Sequence, residues 1–166
     1  MPLGDSVSER GFVDAVAELR KWIMSGDYRQ PTAFRYALGS LYELESMHRI
    51  RLTDSRYFAE RAADADGQVV GGMIYARGLA VHKDSDVADL IGRRPFTVGR
   101  SALGGGDTLR GPGVALVWIA FTALPSPDNP EKHGRDAMYQ QHVEGRDVLD
   151  TISDAERFFV RVATVT

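Results

Sequence analysis

Cysteine is absent from the 166 residues, which excludes a disulfide framework and all thiolate chemistry and suits a cytoplasmic protein. Long apolar runs are lacking too. The longest charge-free one, Val114 to Leu124, is too short to span a bilayer, and the opening MPLGDSVSER is too polar for a secretory h-region. No membrane association is therefore expected. Nor is there an excess of basic charge: the net charge is −3 with the signs well mixed, which leaves no basic stripe for a broad nucleic-acid footprint. A small RNA contact inside a pocket stays open. What is present, 43% apolar residues, suffices for one domain with its own core, and a single domain over residues 1–166 is expected.

Ser6 with Glu9 three residues later forms a capping box, and Phe12, Val16, Leu19 and Ile23 recur at helical spacing up to Gly26. Pro31 suits a first helical position, and Phe34, Leu38, Leu41 and Leu44 mark one face of a second helix ending near Met47 to Arg49. Thr53 or Asp54 is placed to cap a third, through Tyr57, Phe58, Arg61 and Ala62. Three short-connected amphipathic helices predict a bundle of antiparallel neighbours.

The stretch from Gly67 to Lys83, GQVVGGMIYARGLAVHK, fits a helix or a strand. Its length favours a helix, although each of Gly71, Gly72 and Gly78 costs a helix interior about 1 kcal/mol relative to Ala. Asp84 to Leu90 is expected to extend or restart that helix. Pro95, Pro112 and six glycines from Gly99 onward then predict a short strand at Phe96 to Val98 and an irregular loop. Val114 to Phe121 reads as a second strand, so a small hairpin and loop insertion is expected over residues about 93–124. A polar helix from Glu131 or Arg135 to about Glu144 and a last one from Asp147 to Val162 complete a mainly α-helical bundle.

Arg77 and His82 are the first candidates for chemistry. An imidazole titrates near neutrality and passes protons, while a guanidinium offers a permanent charge and a fork of donors matched to phosphate. Together they suit metal-free cleavage of a phosphodiester. The competing interpretation is structural: Arg77 snorkels from an amphipathic helix and His82 marks its exposed end. At about 100° per residue the two lie well apart around a continuous helix, and the residue aligned one turn before His82 is Gly78.

The segment ARGLAVH, an Arg followed after four residues by His, resembles the R-x4-H motif of the HEPN superfamily. Active members are typically metal-independent ribonucleases of toxin or defence type that work as dimers. The resemblance implies a homodimer with an RNA substrate, Arg77 on the scissile phosphate and His82 acting on the ribose 2′-hydroxyl or the leaving oxygen. Where that family usually carries a polar residue after the Arg, this chain has Gly78. The chain also resembles an uncharacterised family of small actinobacterial proteins through Arg77 to His82, Trp118, Leu124, Pro125, Tyr139, Gly145 and Arg146. That second likeness implies no function.

Tyr139, His142 and Arg146 share one face if their helix continues through Gly145, and would then complete a phosphate-binding pocket; the alternative is an ordinary polar surface. His82, Asp84, Asp86 and Asp89 have no diagnostic metal spacing, and a solvated Asp-rich segment explains them better. The loop GRSALGGGDTLRGPG lacks the Gly-Lys-Ser/Thr ending of a phosphate loop. Trp118, Phe158 and Phe159 read as core. No cofactor or metal is expected. The leading expectation is thus an HEPN-like metal-independent endoribonuclease. The alternative is a non-enzymatic interaction or scaffold module, such as a degenerate HEPN-like, immunity or antitoxin partner or a phage-related assembly protein, with a protein as its partner.

Overall fold

A computed structural model describes residues 6–25, 31–92, 114–127 and 133–165. The protein is mainly helical, with one two-stranded antiparallel sheet. In chain order the elements are α1 (Val7–Ser25), α2 (Pro31–Leu52), α3 (Asp54–Ala63), α4 (Ala65–His82), β1 (Ala88–Gly92), β2 (Val114–Trp118), a 3₁₀ turn (Phe121–Ala123), α5 (Arg135–His142) and α6 (Val148–Ala163). Among the described residues no helix is long and apolar enough to cross a membrane.

Helix starts follow local chemistry. The Ser6 hydroxyl accepts from the Glu9 amide at 3.1 Å and the Glu9 carboxylate accepts from the Ser6 amide at 2.8 Å, the reciprocal capping box that the sequence predicts. Asp64 and Asp147 cap α4 and α6 by accepting from the amides of Gly67 and Leu149. Thr53 precedes α3 at φ +71° and makes no capping bond through its side chain.

Helix α4 is the hub, packed against α2, α3, α5 and α6. Every residue from Val69 through Ala76 is buried. A helix wrapped on all sides carries no apolar stripe, which is why its sequence reads equally well as a strand. Its glycines set the spacing. A Cβ on Gly72 would lie 2.6 Å from Val143 Cγ2 and 2.9 Å from the Tyr139 backbone, and one on Gly67 would lie 2.6 Å from the Arg61 carbonyl oxygen. These positions let neighbouring backbone touch α4. Gly78 differs, because a Cβ there would meet nothing within 4 Å.

Opposite signs are therefore expected on mutation. Gly72→Ala should destabilise by about 2 kcal/mol, since overpacking against the backbone of α5 outweighs the helix-propensity gain. Gly78→Ala should stabilise by up to about 1 kcal/mol. Urea midpoints of the two variants check this, and a shift in the same direction for both would count against the packing role of Gly72.

The segment Asp84 to Leu90 does not continue the helix as its sequence suggests. Lys83 closes α4 with its amide on the Leu79 carbonyl, Asp84 turns at φ +47°, and the chain enters β1. β1 pairs with β2 in the register Ala88 to Trp118 through Gly92 to Val114. The hairpin therefore begins earlier than expected, because β1 gains its hydrogen bonds from a partner distant in sequence that local periodicity does not reveal. The strand expected at Phe96 to Val98 and the glycine-rich loop lie outside the described residues. β2 ends at Trp118, short of the expected Phe121. Trp118 is 1% exposed, donates its indole N–H to Thr151 Oγ1 at 2.9 Å, and docks the hairpin onto α6.

Candidate functional site

The second half of α4 supplies one wall of a cleft of about 480 Å³ that takes in Tyr42, Arg77, Gly78, His82, Lys83 and Arg135. Arg77 and His82 stand five positions apart, which on an α-helix places them roughly 140° apart in angle and about 7.5 Å apart along the axis. Gly78 lies between them with open space where a side chain would stand. The missing side chain lets two residues on different sides of one helix open onto a single hollow.

Arg77 is half-buried, and its guanidinium carbon sits 4.2 Å from the centre of the Tyr42 ring, within cation–π range. Its Nε is buried and has no hydrogen-bond partner. The α2 ring thus holds the guanidinium by its face while one edge donor stays uncommitted. His82 is the last residue of α4 and is exposed. Lys83 follows it, and Arg135 enters from the first position of α5. Among the described lining residues, Arg77, Lys83 and Arg135 carry permanent positive charge and none is a carboxylate. Lys83 and Arg135 each also engage another group, so Arg77 is the cation of this set whose guanidinium makes no hydrogen bond, and its planar fork is of the kind that matches phosphate oxygens.

Tyr139, His142 and Arg146 do not line this cleft. Helix α5 stops at His142, and Gly145 takes φ +71°, so no continuous helical face joins the three. Tyr139 is wholly buried, and its hydroxyl donates to the Ile119 carbonyl at 2.6 Å. Burial pushes its phenol well above the ordinary range, with Glu144 and Tyr75 adding to the shift. Arg146 donates to the His142 carbonyl at 2.8 Å and to Asp154 at 2.7 Å, which ties the end of α5 to α6.

The acidic residues after His82 are dispersed. Asp84 pairs with Arg35 at 2.6 Å, while Asp86 and Asp89 border a separate hollow beside Trp22 and Phe34. Among the described residues no group of three or more His, Asp or Glu is placed to hold a metal ion. Tyr42, Lys83 and Arg135 had no functional signal in the sequence. Arg135 reads there as an ordinary helix start, and only the docking of α5 on α4 brings it beside Arg77.

Comparison with protein-family models, with curated proteins and with solved structures gives no match for this chain. The cleft itself therefore carries the functional reading.

Proposed function

We propose that the cleft between Arg77 and His82 is the active site of an HEPN-like, metal-independent endoribonuclease working as a homodimer. The observation that carries this reading is that the two side chains open onto one hollow across the bare backbone of Gly78. Arg77 would hold the scissile phosphate through its guanidinium and stabilise the charge that grows there in the transition state. His82, exposed at the helix end, would take the proton of the ribose 2′-hydroxyl as that oxygen attacks phosphorus. The bond to the 5′-oxygen then breaks, and the leaving oxygen gains a proton. The products are a 2′,3′-cyclic phosphate and a 5′-hydroxyl, with no net redox change.

Cleavage of a mixed RNA pool in EDTA tests the proposal. The parent protein should cut, and His82→Ala and Arg77→Ala should each lose at least about 100-fold in rate while melting like the parent. Equal cleavage by all three would assign the activity to a contaminant and overturn the proposal.

A second reading, a non-enzymatic interaction module that binds an anionic partner without cutting it, is favoured by one observation. Among the described residues nothing hydrogen-bonds the His82 ring, so no second group orients it as a base. RNA binding that is lost in Arg77→Ala, without cleavage by the parent, would select that reading.

A further inference from the structure

We propose that the bare backbone at Gly78 is the seat of one unstacked base of the RNA, so that the size of residue 78 decides what the cleft admits. This rests on the reading of the cleft as an RNA site. A glycine inside a helix costs stability relative to alanine, and nothing within the chain requires one at position 78. Gly78 lies in the body of α4 without a positive φ. The other three glycines of that helix, Gly67, Gly71 and Gly72, each have a neighbouring atom closer than 3 Å to where a Cβ would stand, whereas Gly78 has none within 4 Å. Gly11 and Gly39 also have open space, but neither lines this cleft. The packing role that explains three glycines of α4 is thus missing at the one that opens onto the hollow. The space there suits a body from outside the chain, held closer to α4 than a side chain at 78 would allow.

The chemistry of the hollow names that body. Ile74, Tyr75 and Leu79 give its lining an apolar part, and beside Gly78 stands Arg77, whose guanidinium makes no hydrogen bond to a described residue. Within an RNA strand the phosphate suits the guanidinium, and the flat face of a base suits apolar walls and open backbone. A hollow of about 480 Å³ is of the size that takes one small ligand body. A base therefore enters it singly, turned out of its stack rather than paired. A second copy of this chain packed on α4 would also use a bare glycine, but the cation next to it favours a ligand that carries phosphate together with its flat group.

The test measures, by fluorescence anisotropy, binding of a random-sequence 2′-O-methyl hexamer, which cannot be cleaved, and of an abasic hexamer of the same backbone. The parent should bind the strand with bases at least about 10-fold more tightly, within what one stacked base is worth. Gly78→Leu should lose at least about 10-fold on that strand, and its advantage over the abasic one should fall below about 3-fold. It should melt no lower than the parent, because Leu favours a helix more than Gly does. Gly78→Ala should bind between the two, and it stands in if the Leu variant melts lower. Weaker binding by a protein of equal or greater stability is a result that a purely structural role for Gly78 does not give. Full binding and cutting by Gly78→Leu, or equal binding of both hexamers by the parent, overturns the seat and leaves the RNA reading standing. A change of Gly78→Leu from dimer to monomer in sedimentation assigns the space to a second copy and overturns the seat as well. A parent that neither binds the hexamers nor cuts the RNA pool overturns the RNA reading and this inference with it.

Discussion

Replacing Arg61 with methionine is expected to destabilise the protein by about 3–5 kcal/mol, because it leaves the Glu45 carboxylate buried without its counter-ion. Arg61 and Glu45 are 2% and 1% exposed, and Nη1 of the arginine lies 2.7 Å from Oε1 of the glutamate. The guanidinium also lies 4.9 Å from the centre of the Phe58 ring, and it passes under Gly71, where a Cβ would stand 3.5 Å from Nε. That Nε has no partner, and neither has the neighbouring buried hydroxyl of Tyr57. Burial, with Glu45 adding to it, pushes the Tyr57 phenol well above its ordinary range. The pair is therefore costly to desolvate and costlier to break. Glu45→Leu alone should lose a similar amount, whereas Glu45→Leu with Arg61→Met should recover most of the loss. Thermal melts are the check: single variants should fall by on the order of 10 °C for a chain of this size. If each single variant falls within a degree or two of the parent, the buried pair has little energetic weight.

Mild acid is expected to remove about 3 kcal/mol through His48. Its ring is 1% exposed, stacks on Phe159 at 5.4 Å, leaves Nε2 buried without a partner, and lies 3.5 Å through Nδ1 from the Arg51 guanidinium. Burial first, and the Arg51 cation second, lower its pKa to about 4, against a smaller opposing pull from Glu9. The folded protein therefore binds this proton less readily than the unfolded chain, where the value is about 6.5. The stabilising contribution is complete above about 6.5 and drains away as pH falls toward 4. Asp54 and Asp66 also titrate below their ordinary value. A hydrogen bond from Arg49 lowers the first; burial opposes the shift of the second, but Arg157 and Arg161 outweigh it. Their losses begin lower, which separates the two windows. Urea stability of the parent measured from pH 7.5 to 4.5 should slope downward, and that of His48→Leu should be flatter. Parallel slopes would mean that His48 does not carry the effect.

Much of the helical frame is legible in the sequence where the signal is local. The Ser6 and Glu9 pair and Asp147 mark the starts of α1 and α6 because each acts on backbone groups a few residues away, and Pro31 marks that of α2 by residue type alone. The hub is harder to read, since burial on every side erases the stripe that distinguishes a helix from a strand. Its three packing glycines look like helix breakers until the neighbours that need their space are in place. β1 was hidden because its partner is distant in sequence and its residues beside Asp84 and Asp86 look like a helix start. At the site, Arg77 and His82 stand out by residue type and spacing, whereas Tyr42 and Arg135 carry no mark of their own. Tyr139 and Arg146 stand out equally, yet one fills the core and the other binds Asp154. Residue type identifies groups able to do chemistry, but not which of them face an opening.

The wrapping of α4 by four other helices has a consequence for how it moves. The amides in its middle are covered on every side and are expected to be among the slowest in the molecule to exchange hydrogen. Arg77 directly follows the buried stretch from Val69 to Ala76 and leans on Tyr42. His82 occupies the final residue, where a helix frays on its own. One continuous element thus carries a cation beside its most deeply buried stretch and an imidazole on its exposed final residue.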